Sequence, residues 1–112
     1  IGEKMTDESF ENVILELRRG VIVLAVLSRL SEEQYGYSLI NDLKGHGLEV
    51  DQGTLYPLMR RLESQGLLQS SWRIEADRPR RYYSLSDEGR LLLPRLKEEW
   101  TSITSTLGKM LK

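Results

Sequence analysis

From Asp7 onward, apolar side chains recur at three- and four-residue steps: Phe10, Val13, Ile14, Leu17, Val21, Leu24, Leu27 and Leu30. That spacing predicts one long amphipathic helix, with Thr6 or Asp7 as its N-cap. Gly20 interrupts the stripe at a cost of about 1 kcal/mol relative to alanine, which marks either a kink or a place where another surface comes close. After a polar stretch from Ser31 to Gln34, Leu39, Ile40 and Leu43 define a short second helix over Tyr35–Lys44, stopped by the turn Gly45-His46-Gly47. Asp51 then caps a third helix that runs to Gln65 and stops at Gly66. At about 100° per residue, Leu55, Leu58, Met59 and Leu62 of this helix share the core side. Gly53, Pro57, Arg60 and Ser64 fall opposite, flanked by Thr54, Tyr56 and Arg61.

Beyond Gly66 the period changes from helical to alternating. Leu67–Ile74 and Arg80–Leu85 read as two strands of a hairpin joined by a loop over Glu75–Pro79. Trp72 is expected to pack in the core or at the hairpin's base. Of the neighbours Tyr82 and Tyr83, alternation sends one ring inward and the other outward, where its hydroxyl would reach a phosphate. Ser86 caps a final helix whose apolar positions, Leu92 or Leu93, then Leu96, Trp100, Ile103, Leu107 and Met110, form a seam in search of a partner helix. Three helices, a hairpin and a terminal helix describe an α+β, mostly α fold: a winged helix-turn-helix with a long N-terminal helix and a C-terminal dimerisation helix. The expected division is 1–85 for the winged unit and 86–112 for the dimerisation helix.

Charge distribution adds what net charge conceals. The formal net charge is -1, yet residues 60–83 hold six bases against three acids, while residues 1–59 hold ten acids against five bases. Arginine concentrated on one segment of an otherwise acidic chain suits a phosphate-contacting surface, because affinity follows local potential. A solvated charged face is the other reading of the same residues. On the hairpin, Arg78, Arg80 and Arg81 lie where a wing meets a phosphate backbone or minor groove, with Arg60 on the third helix beside them.

Other chemistry is excluded by composition. The chain has no cysteine and one histidine, which rules out disulfides and thiolate sites and leaves no ligand set for a metal. With no glycine-rich phosphate loop after a strand and no arranged pair of carboxylates, an enzyme and a bound cofactor are not expected. The longest apolar run, Val21–Leu27, is far too short to span a membrane and no signal-peptide pattern precedes it, so the expected setting is cytoplasmic.

The final seam is assigned to a homodimer through Phe10, Val13 and Leu17 of the first helix and Leu92, Leu96, Trp100, Ile103, Leu107 and Met110 of the last. Two recognition helices related by a two-fold axis would address half-sites about 34 Å apart on a symmetric operator in double-stranded DNA. Tryptophan is bulky for a tight helical seam, so paired Trp100 side chains leave two readings. In one they fill the dimer core. In the other they hold the helices apart around a site for a flat aromatic or cationic compound, walled by Leu17, Gly20, Val21, Leu96 and Ile103, with Glu99 supplying the opposite charge.

The runs "YGYSLINDL", "GTLYPLMRRLESQGLL" and "RRYYSLSDEG" together resemble the PadR family of bacterial transcriptional regulators over roughly residues 15–107. The short C-terminal part with "LKEEW" is similar to the small subfamily that includes multidrug-binding repressors. This resemblance implies a dimeric winged-helix repressor released from its operator by a small aromatic or cationic compound or another signal. It also implies recognition-helix roles for Thr54, Tyr56 and Arg60, a backbone contact from Tyr37 at the start of the second helix, and a wing carrying Arg80 and Arg81. One departure is the tip "ADRP", where the family often has glycine. The expected DNA contacts are therefore Tyr37, Gly53, Thr54, Tyr56, Pro57, Arg60, Arg61, Arg78, Arg80 and Arg81. Two other functions compete: a winged-helix module that binds protein without sequence-specific DNA binding, and a small-molecule binder whose DNA contact is vestigial.

Overall fold

The computed structural model describes residues 6–112. Four helices and three strands run in the order α1 (Asp7–Arg29), β1 (Gln34–Tyr35), α2 (Gly36–Gly45), α3 (Gln52–Ser64), β2 (Leu68–Glu75), β3 (Arg78–Leu85) and α4 (Asp87–Met110). The strands form one antiparallel sheet in the order β1-β3-β2. This is the winged helix-turn-helix arrangement, mostly helical, with β2 and β3 as the wing. The first five residues of the expected 1–85 unit lie outside the described residues.

Local signals set the helix ends. Thr6 accepts a hydrogen bond from the Ser9 amide (3.0 Å), Asp51 from Thr54 (2.7 Å) and Ser86 from Gly89 (3.0 Å), each satisfying a donor with no partner inside its helix. Gly47 and Gly66 take positive φ, and the amides that follow return to Leu43 and Leu62, closing α2 and α3. The helix α1 runs unbroken through Gly20, and a methyl group there would meet nothing within 4 Å in the same chain.

Two expectations need correction. The second helix begins at Gly36, one residue late, because Gln34 and Tyr35 form β1 and pair with Tyr83 and Tyr82. A two-residue strand has no period to read. The hairpin loop is Ala76-Asp77 alone, not Glu75–Pro79. Both residues take positive φ (48° and 63°), the tight turn whose twist matches the strands. Glu75 pairs with Arg78 and Ile74 with Pro79. Alternation of the ladder puts Pro79 at a pair without hydrogen bonds, so its missing N–H costs nothing.

The core gathers Val26, Leu27 and Leu30 of α1, Leu39 and Leu43 of α2, Leu55, Leu58, Met59 and Leu62 of α3, and Leu68, Tyr83 and Leu85 of the sheet. The core face expected of α3 is therefore the observed one. Outside this cluster, Arg29 and Gln34 both donate to Asp42 (2.8 and 2.9 Å), tying α1, β1 and α2 together. The Arg29 hydrogen bond, then that of Gln34, holds the Asp42 carboxyl below its ordinary range. The stabilisation from that shift is complete above the ordinary carboxylate range and is lost as acid protonates Asp42 in the folded state.

Where α4 leaves the sheet it passes close to the backbone. A methyl group on buried Gly89 would run into the Leu67 carbonyl and lie 3.1 Å from Leu85 Cδ2. Gly89→Ala is expected to cost about 1–3 kcal/mol, read as a lower midpoint in urea unfolding, because backbone on the other side cannot yield. Further along, α4 leaves the domain: the radius of gyration is 16.6 Å, against roughly 13 Å for a compact chain of this size.

Candidate nucleic-acid interface

The wing is longer than the core it covers. Leu68, Ser70, Trp72 and Ile74 share one face of the hairpin with Leu85, Tyr83, Arg81 and Pro79, their register partners. At the base this face is buried through Leu68, Tyr83 and Leu85, but Trp72 is 66% exposed and Ile74 81%. The expectation that Trp72 packs in the core is thus overturned. It faces the correct side, but at that point the hairpin borders an open groove against α3 and not the packed core.

This groove between α3 and the hairpin has a volume of about 700 Å³. Its lining brings together Tyr37, Tyr56, Arg60, Arg78, Arg80 and Arg81 of the residues expected from sequence, and adds Trp72 and Pro79. Gly53, Pro57 and Arg61 lie on the exposed surface of α3 outside that lining, and Thr54 faces a second depression beside Arg18 and Lys44. Tyr56 owes its position to Gly36, since any β-carbon there would collide with the phenol ring. Period-2 alternation from Leu68 points to Trp72 on this face; the groove that exposes it has no signature in sequence.

The arginines divide into two groups. Arg81 donates to Glu63 of α3 (2.7 Å) and to Ser70 (3.0 Å), and its guanidinium lies 5.8 Å from the Trp72 ring centre and 5.3 Å from that of Tyr83. Arg80 pairs with Glu75 (3.4 Å) over the Tyr35 ring (4.5 Å), and Arg73 pairs with Glu33 over the Tyr82 ring (4.4 Å). Arg60, Arg61 and Arg78 have no carboxylate within 4.0 Å among the described residues. Half of the basic segment is therefore neutralised by the fold, and the unpaired charge sits on α3 and at the wing tip.

Both tyrosines of the second strand are spent internally. Tyr83 is buried, and desolvation raises the pKa of its hydroxyl. Tyr82 faces the other side of the sheet and donates to both Glu75 oxygens (2.7 and 2.8 Å), a bond that raises its pKa. Its outward direction agrees with alternation, but its hydroxyl is engaged by Glu75.

The remaining expected residues lie on α1 and α4. Phe10, Val13, Leu17, Trp100, Ile103, Leu107 and Met110 are all exposed, while Leu92 and Val21 are half-buried. Leu96 rests partly against its own domain, together with Leu93. Glu99 and Gly20 are exposed, and Trp100 lines none of the depressions described above. Within one chain, these residues do not enclose a site.

Among the described residues no cluster of three or more acids and histidines is placed to hold a metal, and no helix is long and apolar enough to cross a membrane. A model of the PadR-like family of transcriptional regulators matches residues 23–95. A transcriptional regulator of Mycobacterium tuberculosis is 39% identical over 79 residues, covering 70% of this chain and 74% of its own. The crystal structure of a PadR family transcriptional regulator from Eggerthella lenta superposes with a TM-score of 0.86 at 46% identity, covering 95% of each chain. That of a PadR-like transcriptional regulator from Bacillus cereus gives 0.75 at 30% identity over 87% of this chain and 97% of the other.

Proposed function

This chain belongs to the PadR-like family of transcriptional regulators, and from that premise we propose that it is a repressor which binds a two-fold symmetric operator as a homodimer. Its relatives are regulators, not enzymes. The observation that carries the reading is the groove in which the outward face of α3 and the wing converge, with Arg60 and Arg78 both without a carboxylate partner among the described residues. In this reading α3 enters the major groove, Arg60 reaches a base edge or phosphate, Tyr37 meets the backbone beside it, and Arg78 takes a phosphate flanking the half-site. Arg61, Thr54, Gly53 and Pro57 form the rest of the approach surface, with Gly53 lacking a side chain and so permitting close contact.

Dimerisation is proposed through the exposed seam of α4 and the outer half of α1. A protein-binding module would use the same α3 face, but a groove whose charged lining residues are all arginine favours a polyanion. The test is selection of sites from a random duplex pool by the parent and by an Arg60→Ala, Arg78→Ala variant. Enrichment of a two-fold symmetric sequence by the parent alone is the expected result; no enrichment at low salt would sink the reading.

Release is proposed to come from a flat aromatic or cationic compound held between the two Trp100 side chains, with Glu99 nearby. Wedging α4 from its mate alters the spacing of the two α3 helices, and a half-site spacing that no longer fits lowers affinity. Trp100→Ala should then retain operator binding and lose the response to such a compound, measured by fluorescence anisotropy of labelled operator with and without a planar dye. A dye response equal to the parent's would contradict this role.

A further inference from the structure

We infer that the wing holds duplex DNA through an apolar face, made of Trp72, Ile74 and Pro79, laid against deoxyribose faces beside the half-site. The affinity this contact supplies is not weakened by salt. The inference rests on the DNA reading above and assigns to it residues that charge would not identify.

Register places the three side chains on one surface, since Trp72 lies opposite Arg81 and Ile74 opposite Pro79. Among the described residues, only the Arg81 guanidinium lies near the Trp72 ring; Trp72 is two-thirds exposed and Ile74 four-fifths. The contrast with the reverse side of the same hairpin is informative. There Arg73, Arg80, Glu75 and Tyr82 pair with one another and with Glu33, and Arg78, the register partner of Glu75, stands beside them at the tip. The wing thus has a polar side held largely by its own ion pairs and an uncovered apolar side, and Trp72 and Pro79 of the apolar side line the same groove as Arg60 and, at the tip, Arg78.

Continuity with those two arginines selects the occupant. Phosphate and apolar sugar alternate along a nucleic-acid strand, so a guanidinium and an indole side by side can each meet a matching group. Apolar side chains do meet duplex DNA in other minor-groove binders, which wedge Phe, Leu, Ile, Met or Pro between base steps. Counterion release accounts for the salt dependence of the arginine contacts, but apolar burial releases no ions. The two kinds of contact are therefore separable by experiment.

The duplex enriched by the parent would be titrated by fluorescence anisotropy over a series of salt concentrations. Trp72→Ala is expected to weaken binding about 10-fold at every salt, leaving the slope of log affinity against log salt unchanged. Ile74→Ser should weaken it less, with the same parallel line, and Trp72→Phe should recover most of the loss. Arg78→Ala should give a flatter line. Affinity within about twofold of the parent for both Trp72→Ala and Ile74→Ser, or a flattened line for either, would overturn the inference while leaving the DNA reading intact. Failure of the parent to bind any duplex would overturn the DNA reading and this inference with it. Circular dichroism of each variant checks the fold. If Trp72→Ala does not fold, the outcome with Ile74→Ser decides.

Discussion

Replacing Ile103 and Leu107 together with aspartate is expected to leave a folded monomer whose affinity for a two-fold operator is at least about 100-fold lower than the parent's. The fold should survive because the buried apolar cluster of the described residues lies entirely between Ile22 and Leu85, upstream of both positions. The interface should not. Trp100, Ile103 and Leu107 recur along one stripe of α4 and stand 41%, 54% and 43% exposed in the single chain, so two carboxylates per helix would have to be desolvated for the seam to close. Once the two recognition helices are no longer linked, the second half-site is bound from bulk solution and the effective-concentration advantage disappears. Light scattering after size exclusion reads the mass, circular dichroism the fold, and anisotropy the affinity for one and two half-sites. A variant that stays dimeric would place the interface elsewhere. A monomer with undiminished affinity for the full site would show that the halves act independently.

Arg60→Ala should lower operator affinity about 10- to 100-fold, and Arg78→Ala somewhat less, whereas Arg81→Ala should act through the fold. Each lost phosphate contact reduces the salt slope by about 0.9, and a dimer loses two per substitution. For Arg78→Ala the line should therefore flatten by nearly 2. Arg60→Ala would flatten it equally if it meets phosphate, and leave the slope but relax base preference if it reads a base edge. Arg81 differs because its guanidinium already holds Glu63 and Ser70. Removing it leaves Glu63 half-buried without its cation and frees the wing's anchor on α3. A stability loss of about 1 kcal/mol is expected, modest because both groups retain some solvent. Urea unfolding and salt-dependent titrations on the same three variants separate the roles. A salt slope for Arg81→Ala as flat as that for Arg78→Ala would mean that Arg81 leaves Glu63 for phosphate on binding.

Much of the fold was legible from the sequence because its determinants are local. The stripe on α3 predicted Leu55, Leu58, Met59 and Leu62 as core, and Thr6, Asp51 and Ser86 cap their helices as their positions indicated. Helical period and a cap depend on residues three or four apart. The hairpin was visible but its turn was not: Ala76 and Asp77 carry no glycine to announce positive φ, and strand pairing right up to the turn decides their conformation. Likewise, β1 exists only because β3 is there to pair with it.

The site was legible as a composition and not as an arrangement. Sequence alone determined that one segment is rich in arginine, that α3 has a slim outward face, and that α4 ends in an unpaired apolar seam. Tertiary structure alone decided which arginines remain available, since Arg81 meets Glu63 across 18 residues and Arg73 meets Glu33 across 40. It also decided that Trp72 stands in the groove and not in the core. The physical reason is range: propensity, capping and periodicity act within a turn or two of the chain, whereas charge pairing and burial depend on which distant surfaces the packed elements bring together.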